Sequence, residues 1–216
     1  MITKITAALL ATSLLVACGS TTTPNVTEPV QTPAQIAAAA KAAADAAAAV
    51  PKTFNQLQTE FVNLRGLYTT SDYQDPSTLP ITPGAVSYQG FSSLTLATTT
   101  PVNLLGTSLL TLDLSKTSGF SGTFSDFVDQ TDTSVPGTLT ITNGSINRAG
   151  ATGTNEALQG VLGGQLTINN NPASFNGILG GDIVRPARDV IDGEMAGAMA
   201  FGGTTVPFTG SFAAKQ

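Results

Sequence analysis

Histidine and tryptophan are absent from this chain of 216 residues, and cysteine occurs once. Without histidine the chain lacks the most common general base and the most common metal ligand of proteins. A serine hydrolase with the usual triad is therefore excluded. The single cysteine also excludes an intramolecular disulfide framework.

Charged side chains are scarce, at 11% of residues, and acids outnumber bases by 14 to 9. The formal net charge is −5 and the sequence pI is about 4.4. A chain with this balance cannot neutralise a row of phosphates, so we expect no nucleic-acid partner. Threonine, serine, asparagine and glycine supply most of the polarity, which favours a secreted or surface β-protein over a cytosolic enzyme.

The amino terminus has the pattern of a signal peptide. A short basic start is followed by an apolar stretch, residues 5–16, which is far too short to span a bilayer and ends just before Cys18. Its end resembles the lipobox of bacterial lipoproteins, with aliphatic Leu15, small residues and then cysteine. The alternative is an ordinary secretory signal with a chance cysteine or a free thiol.

The lipobox resemblance implies that residues 1–17 are a lipoprotein signal peptide. Cleavage would leave Cys18 at the new amino terminus, carrying a diacylglycerol and an amide-linked acyl chain such as palmitate. Several acyl chains anchor a protein stably where one does not. Gly19 stands where inner-membrane lipoproteins commonly have aspartate, which implies sorting to the outer membrane.

A tether and a helical spacer are predicted next. Residues 18–33 are rich in threonine and proline and have almost no large apolar residue, so we expect an extended, mobile tether. Residues 34–83 are a helical spacer and linker, beginning with a run of alanine, the strongest helix former. A second helix is predicted from apolar residues at spacings of three and four: Phe54, Leu57, Phe61 and Leu64. This stripe is expected to pack on the flank of the barrel or to cap one of its mouths, with docking of another protein as the alternative.

Residues 84–216 have the pattern of strands. Apolar or glycine residues alternate with polar ones, and this period of two indicates strands with one buried face. Strands are predicted at residues 85–97, 105–114, 120–127, 137–147, 157–168, 173–183, 190–201 and 205–213. Asn143-Gly144 leaves open whether residues 137–147 form one bulged strand or a hairpin. The expected fold is all-β: an antiparallel up-and-down barrel of about eight strands with a filled interior.

Several motifs in this region combine glycine with phenylalanine or leucine. They include Gly119-Phe120-Ser121-Gly122-Thr123-Phe124, Leu158-Gln159-Gly160-Val161-Leu162 and Val206-Pro207-Phe208-Thr209-Gly210-Ser211-Phe212. Their order resembles the C-terminal barrel of transferrin-binding protein B-like surface lipoproteins. The resemblance implies an eight-stranded barrel held outside the outer membrane by its lipid. The chain has no paired handle domain and no family binding residue carries over, so transferrin binding itself is not implied.

Two acidic groups could carry chemistry. Asp126, Asp129 and Asp132 recur every third residue and could offer oxygens to calcium. They lack the glycine and the terminal glutamate of a known calcium loop, which favours a solvated hairpin. Asp192 and Glu194, with Asp189 nearby, could form an acid–base pair. Outward, solvated carboxylates beside Arg185 and Arg188 are the simpler interpretation.

Two further sets of residues are more simply structural. Met195 and Met199 are four apart in a strand, and we expect them to fill the core rather than to bind haem. Three serines, Ser92, Ser108 and Ser211, have no histidine to activate them.

The sequence therefore predicts a non-enzymatic lipoprotein of the outer membrane, facing the cell surface, that binds a protein or a small solute. No cofactor is expected other than the covalent lipid on Cys18, and no metal. The alternative is a structural or accessory envelope lipoprotein that faces the periplasm and has no soluble ligand. The sequence identifies neither the ligand nor its binding residues.

Overall fold

Long antiparallel strands form the body of the protein in the computed structural model, which describes residues 52–69, 72–149, 156–184 and 188–216. The helix α1 (Phe54–Arg65) and a short 3-10 helix (Pro76–Thr78) precede the strands. The strands are β1 (Ala85–Leu96), β2 (Val102–Asp113), β3 (Phe120–Asp129), β4 (Ser134–Val135), β5 (Gly137–Ile146), β6 (Leu158–Ile168), β7 (Asn171–Ile183), β8 (Val190–Phe201) and β9 (Thr204–Lys215).

The strands close into a barrel. Each long strand pairs with the next one along the chain, and β3 pairs with β5 as well as with the two-residue strand β4. The first and last strands complete the ring through a register that runs from Gln89 opposite Lys215 to Leu96 opposite Phe208. The predicted all-β, antiparallel barrel of eight strands is confirmed, with β4 as an additional short strand that the sequence pattern did not predict.

The interior of the barrel is filled by the inward half of the alternating pattern. In β6, Leu158, Leu162, Leu166 and Ile168 are all less than 5% exposed. Fully buried side chains elsewhere in the interior include Phe120, Phe124, Phe208, Phe212, Leu94, Leu96, Leu104, Leu110 and Leu139. Met195 and Met199 belong to the same core, as the sequence predicted. Since burial of apolar area is the main favourable term of folding, this core stabilises the barrel.

Two phenylalanine rings occupy space that only glycine leaves free. A Cβ at Gly193 would overlap the Phe212 ring, and a Cβ at Gly177 would stand 2.8 Å from Cζ of Phe208. The interior glycines therefore permit close approach of an aromatic ring to the strand backbone.

Two bulges change which residues face the interior. Between β2 and β3 the register shifts at Asp126, which has a φ of 52°, and the shift turns Phe127 inward and Val128 outward. Between β5 and β6 it shifts at Asn143, which has a φ of 51°. Asparagine and aspartate tolerate this left-handed backbone better than most residues. Residues 137–146 are thus one bulged strand, which settles the alternative that the sequence left open.

Helix α1 packs on the outer wall of the barrel. Thr53 caps it, and the side chains and backbone of Thr53 and Gln56 form a reciprocal capping box. The apolar stripe of α1 packs against side chains that point outward from β1, β2, β3 and β9. This outer cluster comprises Leu57, Phe61, Leu105, Val128 and Ala213, with Phe54, Leu64 and Phe91 at its margin. The predicted helix is confirmed, and of the two positions that the sequence left open for it, the flank and the mouth of the barrel, the structure shows the flank.

The chain between α1 and β1 contacts the end of β7 and then packs against the barrel core. Tyr73 forms a bridge with Val184, and the backbone N–H of Gln74 donates to the carbonyl of Ile183 at 2.7 Å. Leu79 then packs into the barrel core with 5% exposure. The segment that the sequence treats as a linker is therefore part of the packed structure. By its internal contacts, Pro51–Gln216 is one compact unit that includes α1.

The predicted signal peptide, Cys18, the tether and the alanine-rich stretch lie outside the described residues. Among the residues that the structure describes, no helix is long and apolar enough to cross a membrane.

Candidate functional site: a groove on the outer wall

A groove runs across the outer wall of the barrel, perpendicular to the strands. Its floor is a row of outward residues that are directly paired from strand to strand through β1, β9, β8, β7, β6 and β5. In that order they are Ser93, Ser211, Glu194, Gly180, Gln159 and Ser145. The groove holds about 890 Å³, a volume within the range of about 300–1,000 Å³ that is typical of small-molecule sites.

A second row of outward residues, two positions further along each strand, forms the open side. These residues are Thr95, Thr209, Ala196, Ile178 and Val161. Ile178 is 69% exposed and Val161 is 37% exposed. The second row therefore gives the otherwise polar groove an apolar margin.

Helix α1 and the chain after it form the opposite side of the groove. They cover the row next to the floor, which contains Phe91, Ala213 and Asp192. Asp192 and Glu194 are two apart on the same outward face of β8, yet Asp192 is 3% exposed whereas Glu194 is exposed. Three of the floor residues, Ser93, Ser211 and Gly180, are small, and α1, whose last residue Arg65 lines the groove, is raised beside the floor on larger apolar side chains.

The end of α1 is held by an ion pair in which Asp192 is buried and Arg65 is partly exposed. Nε of Arg65 lies 3.0 Å from Oδ1 of Asp192, and Nη2 donates to Oδ2 at 3.3 Å. The hydroxyl of Tyr73 donates to the same Oδ2 at 2.6 Å. A charge-assisted set of this kind joins α1, the following segment and β8 at one carboxylate.

Tyrosine rings enclose this ion pair. Tyr68 and Tyr73 lie with ring centroids 6.4 Å apart. Burial, followed by interaction with Asp192, raises the pKa of both tyrosines above the ordinary value, so both stay protonated at neutral pH. Burial alone would lower the pKa of Arg65, but the Asp192 carboxylate raises it, so the guanidinium remains charged. This cluster therefore has a structural role, because both tyrosines hold their protons at neutral pH.

Two carboxylates face the groove without a counter-charge. Glu156 lies over Gly180, where a Cβ would overlap its carboxylate, and Glu194 is paired directly with Gly180 across β7 and β8. Neither carboxylate forms a hydrogen bond or an ion pair with any residue that the structure describes. Burial, Asp182 and Glu194 together raise the pKa of Glu156, and burial is also the main cause of the raised pKa of Asp182. Negative potential is thus concentrated at the middle of the groove, over Glu194 and Gly180.

The three aspartates considered for calcium have separate structural roles. Asp126 is the bulge residue of β3 and accepts from the hydroxyls of Thr107 and Ser125. Asp129 accepts from backbone N–H groups in the turn that follows. Asp132 accepts from the N–H of Phe54 at 2.7 Å. Among the described residues no group of acids, histidine or cysteine is arranged to hold a metal ion.

The other candidates lie in different surroundings. Asp189 is 3.5 Å from Lys215 and does not belong to the groove. Asp192 is buried and paired, so the prediction of a solvated carboxylate was wrong for it and right for the exposed Glu194. Ser92 is fully buried, with a hydroxyl that has no hydrogen-bond partner among the described residues. Ser211 alone of the three serines lines the groove.

Comparisons of the chain with family models, curated proteins and solved structures found no match.

Sequence reasoning did not find the groove as a site. Its residues come from six strands and are brought together only by the register of the closed sheet. One local signal was present, because the outward residues of β8 after Glu194 are alanines, Ala196, Ala198 and Ala200. A run of small outward residues predicts a shallow surface, but it does not identify the element, here α1, that packs beside that surface.

Proposed function

We propose that this protein is an outer-membrane lipoprotein, anchored through Cys18 and exposed at the cell surface, that acts as a non-catalytic binding module. The groove on the outer wall is the observation that supports this proposal. It is concave, lined by hydrogen-bonding side chains and bounded by a helix that is fixed through an ion pair with the buried Asp192. Sites with these features bind ligands.

The position of the groove also favours binding over catalysis. The barrel interior is filled by leucine, phenylalanine and methionine, so a ligand has to bind outside it. The hydroxyl of Ser211 lies 3.0 Å from that of Ser93 and forms no hydrogen bond with a described carboxylate. Between Glu156, which precedes β6, and Glu194 on β8 stands Gly180, which has no side chain to act as a nucleophile. A ligand would be held there by hydrogen bonds and charge.

The order of segments along the chain suits display at a surface. Cys18 precedes a predicted tether rich in threonine and proline and an alanine-rich stretch, and the compact unit follows from Pro51. A tether of this composition is extended and would hold the barrel away from the lipid. The resemblance to transferrin-binding protein B-like lipoproteins points the same way and remains a hypothesis.

The first test is protease accessibility in intact and lysed cells. We expect external protease to remove the barrel from intact cells, with a periplasmic marker protein left uncut as the control. Protection of the barrel until lysis would refute surface exposure and would favour the alternative of an accessory lipoprotein that faces the periplasm.

The anchor is tested separately by metabolic labelling with palmitate. We expect label in the wild-type chain and none in Cys18→Ala, with the variant recovered in the soluble fraction or as an unprocessed precursor. Labelled Cys18→Ala in membranes would contradict the lipidation of Cys18.

A further inference from the structure

The groove has an unbalanced negative charge. Among the described residues, Arg65 is the basic residue that lines it, and Arg65 is already paired with the buried Asp192. Within the part of the chain that the structure describes, Glu156 and Glu194 have no cationic partner. Because opposite charges attract across a partly desolvated surface, a ligand that fills the groove is expected to be positively charged.

The two free carboxylates lie close enough to share one cationic group. Glu194 is directly paired with Gly180, and the carboxylate of Glu156 lies over that same glycine. Directly paired residues on neighbouring strands have Cβ atoms about 4.5–5.5 Å apart. An ammonium or guanidinium group between them could therefore contact both.

The groove is longer than a single small cation. Its floor crosses six strands, from Ser93 on β1 to Ser145 on β5. Five spacings of about 4.8 Å give a length of about 24 Å, which matches about seven residues of extended peptide at about 3.3 Å each. Ser93, Ser211 and Gln159 along the floor can bond to a peptide backbone.

The open margin of the groove suits long basic side chains. Ile178 is 69% exposed and stands beside Ala196 and Val161 on the neighbouring strands. Lysine and arginine lay their aliphatic stems on apolar surface while the charged group reaches a polar partner. The apolar margin and the acidic floor are thus complementary to the same kind of side chain.

We infer that the groove binds an extended basic peptide segment, with a lysine or arginine side chain placed between Glu156 and Glu194. This inference rests on the proposed binding function and specifies its ligand class.

The test is isothermal titration calorimetry of the full chain in a neutral detergent. The main probe is a capped octapeptide of alternating lysine and serine, and the matched probe has glutamine in place of each lysine. Lysine amide serves as the short probe. The variants are the double substitution Glu156→Gln with Glu194→Gln, and the control Glu60→Gln, which removes an exposed acid on α1 outside the groove.

We expect the lysine octapeptide to bind, and the double variant to bind it about tenfold more weakly, since each partly exposed charge pair contributes modestly. Glu60→Gln should bind as the wild type does. Higher salt should weaken binding of the lysine octapeptide more than that of the glutamine octapeptide. Matching circular dichroism spectra and urea midpoints will show that the double variant is folded.

Equal binding of the lysine and glutamine octapeptides, or an unchanged affinity in the folded double variant, would overturn the inference. Lysine amide binding as tightly as the octapeptide would refute an extended ligand. If no probe binds, the inference fails, while surface exposure and lipidation of Cys18 are still decided by the protease and palmitate experiments. The two proposals can therefore fail independently.

Discussion

Substitution of Arg65 should destabilise the protein more than substitution of Asp192, its partner in the ion pair at the end of α1. The side chain of Asp192 is 3% exposed and that of Arg65 is 38% exposed. In Arg65→Met the buried carboxylate of Asp192 keeps its hydrogen bond from the Tyr73 hydroxyl but loses its counter-charge. Removing one partner of a buried pair costs about 3–5 kcal/mol, and the remaining hydrogen bond places this variant near about 3 kcal/mol.

Asp192→Asn leaves the opposite group alone. Asparagine still accepts from Tyr73, and water can reach Arg65 from its exposed side. We expect a loss of about 1–2 kcal/mol, the usual cost of an incompletely satisfied polar group. Because the two residues share one interaction, the double variant should cost less than the sum, with a coupling of about 1–2 kcal/mol.

Urea-induced unfolding, followed by far-ultraviolet circular dichroism at neutral pH, measures these free energies. Lys52→Met is the matched control, because it breaks the exposed pair with Glu60, whose side chains are 46% and 41% exposed. An exposed pair contributes about 0.5 kcal/mol. An Arg65→Met loss no larger than that of Lys52→Met, or a coupling of zero, would refute the view that this ion pair holds α1 against the barrel.

Three further substitutions test other parts of the structure. Asp132→Ala removes the acceptor of the Phe54 N–H at the start of α1 and should cost about 1 kcal/mol in the urea assay; no loss would contradict a capping role. Ser92→Ala removes a buried hydroxyl without a partner and should raise the free energy of unfolding by about 1 kcal/mol; a loss would indicate that the hydroxyl is satisfied. Asp182→Asn tests the pH dependence. The raised pKa values of Asp182 and Glu156 mean that the folded state holds protons that the unfolded state has released, so stability falls as pH rises above about 4 through the folded pKa values. In Asp182→Asn the free energy of unfolding should decrease less steeply between pH 4 and 7 than in the wild type. An unchanged slope would contradict a raised pKa of Asp182 in the folded state.

The barrel was predictable because its signal is local. In β6 and β9 apolar and polar residues largely alternate and burial follows the alternation, with outward Val161 and Ala213 as exceptions. Gly202-Gly203 form the two-residue turn between β8 and β9. Both glycines have positive φ, which glycine adopts readily. The turn at Asn169-Asn170 is shorter than the gap between the predicted strands 157–168 and 173–183, because Asn171 and Pro172 already belong to β7.

Other features were not predictable because they depend on distant partners. Asp126 and Asp132 have the same side chain and similar neighbours, yet one forms a bulge and the other caps α1, 78 residues away in sequence. The spacing of three that suggested calcium has no spatial meaning here, since a bulge and a turn separate the residues.

By itself the sequence determined the eight long strands, the helix and, away from the two bulges, the face that each one buries, because these depend on spacing along the chain and on the hydrophobic effect. Only the tertiary structure decided that Glu194 lies open while Asp192, on the same face two residues away, is buried beneath α1. The difference comes from where α1 ends on the wall. A one-dimensional pattern specifies which side of a strand faces outward, but packing between elements decides which outward residues still meet solvent.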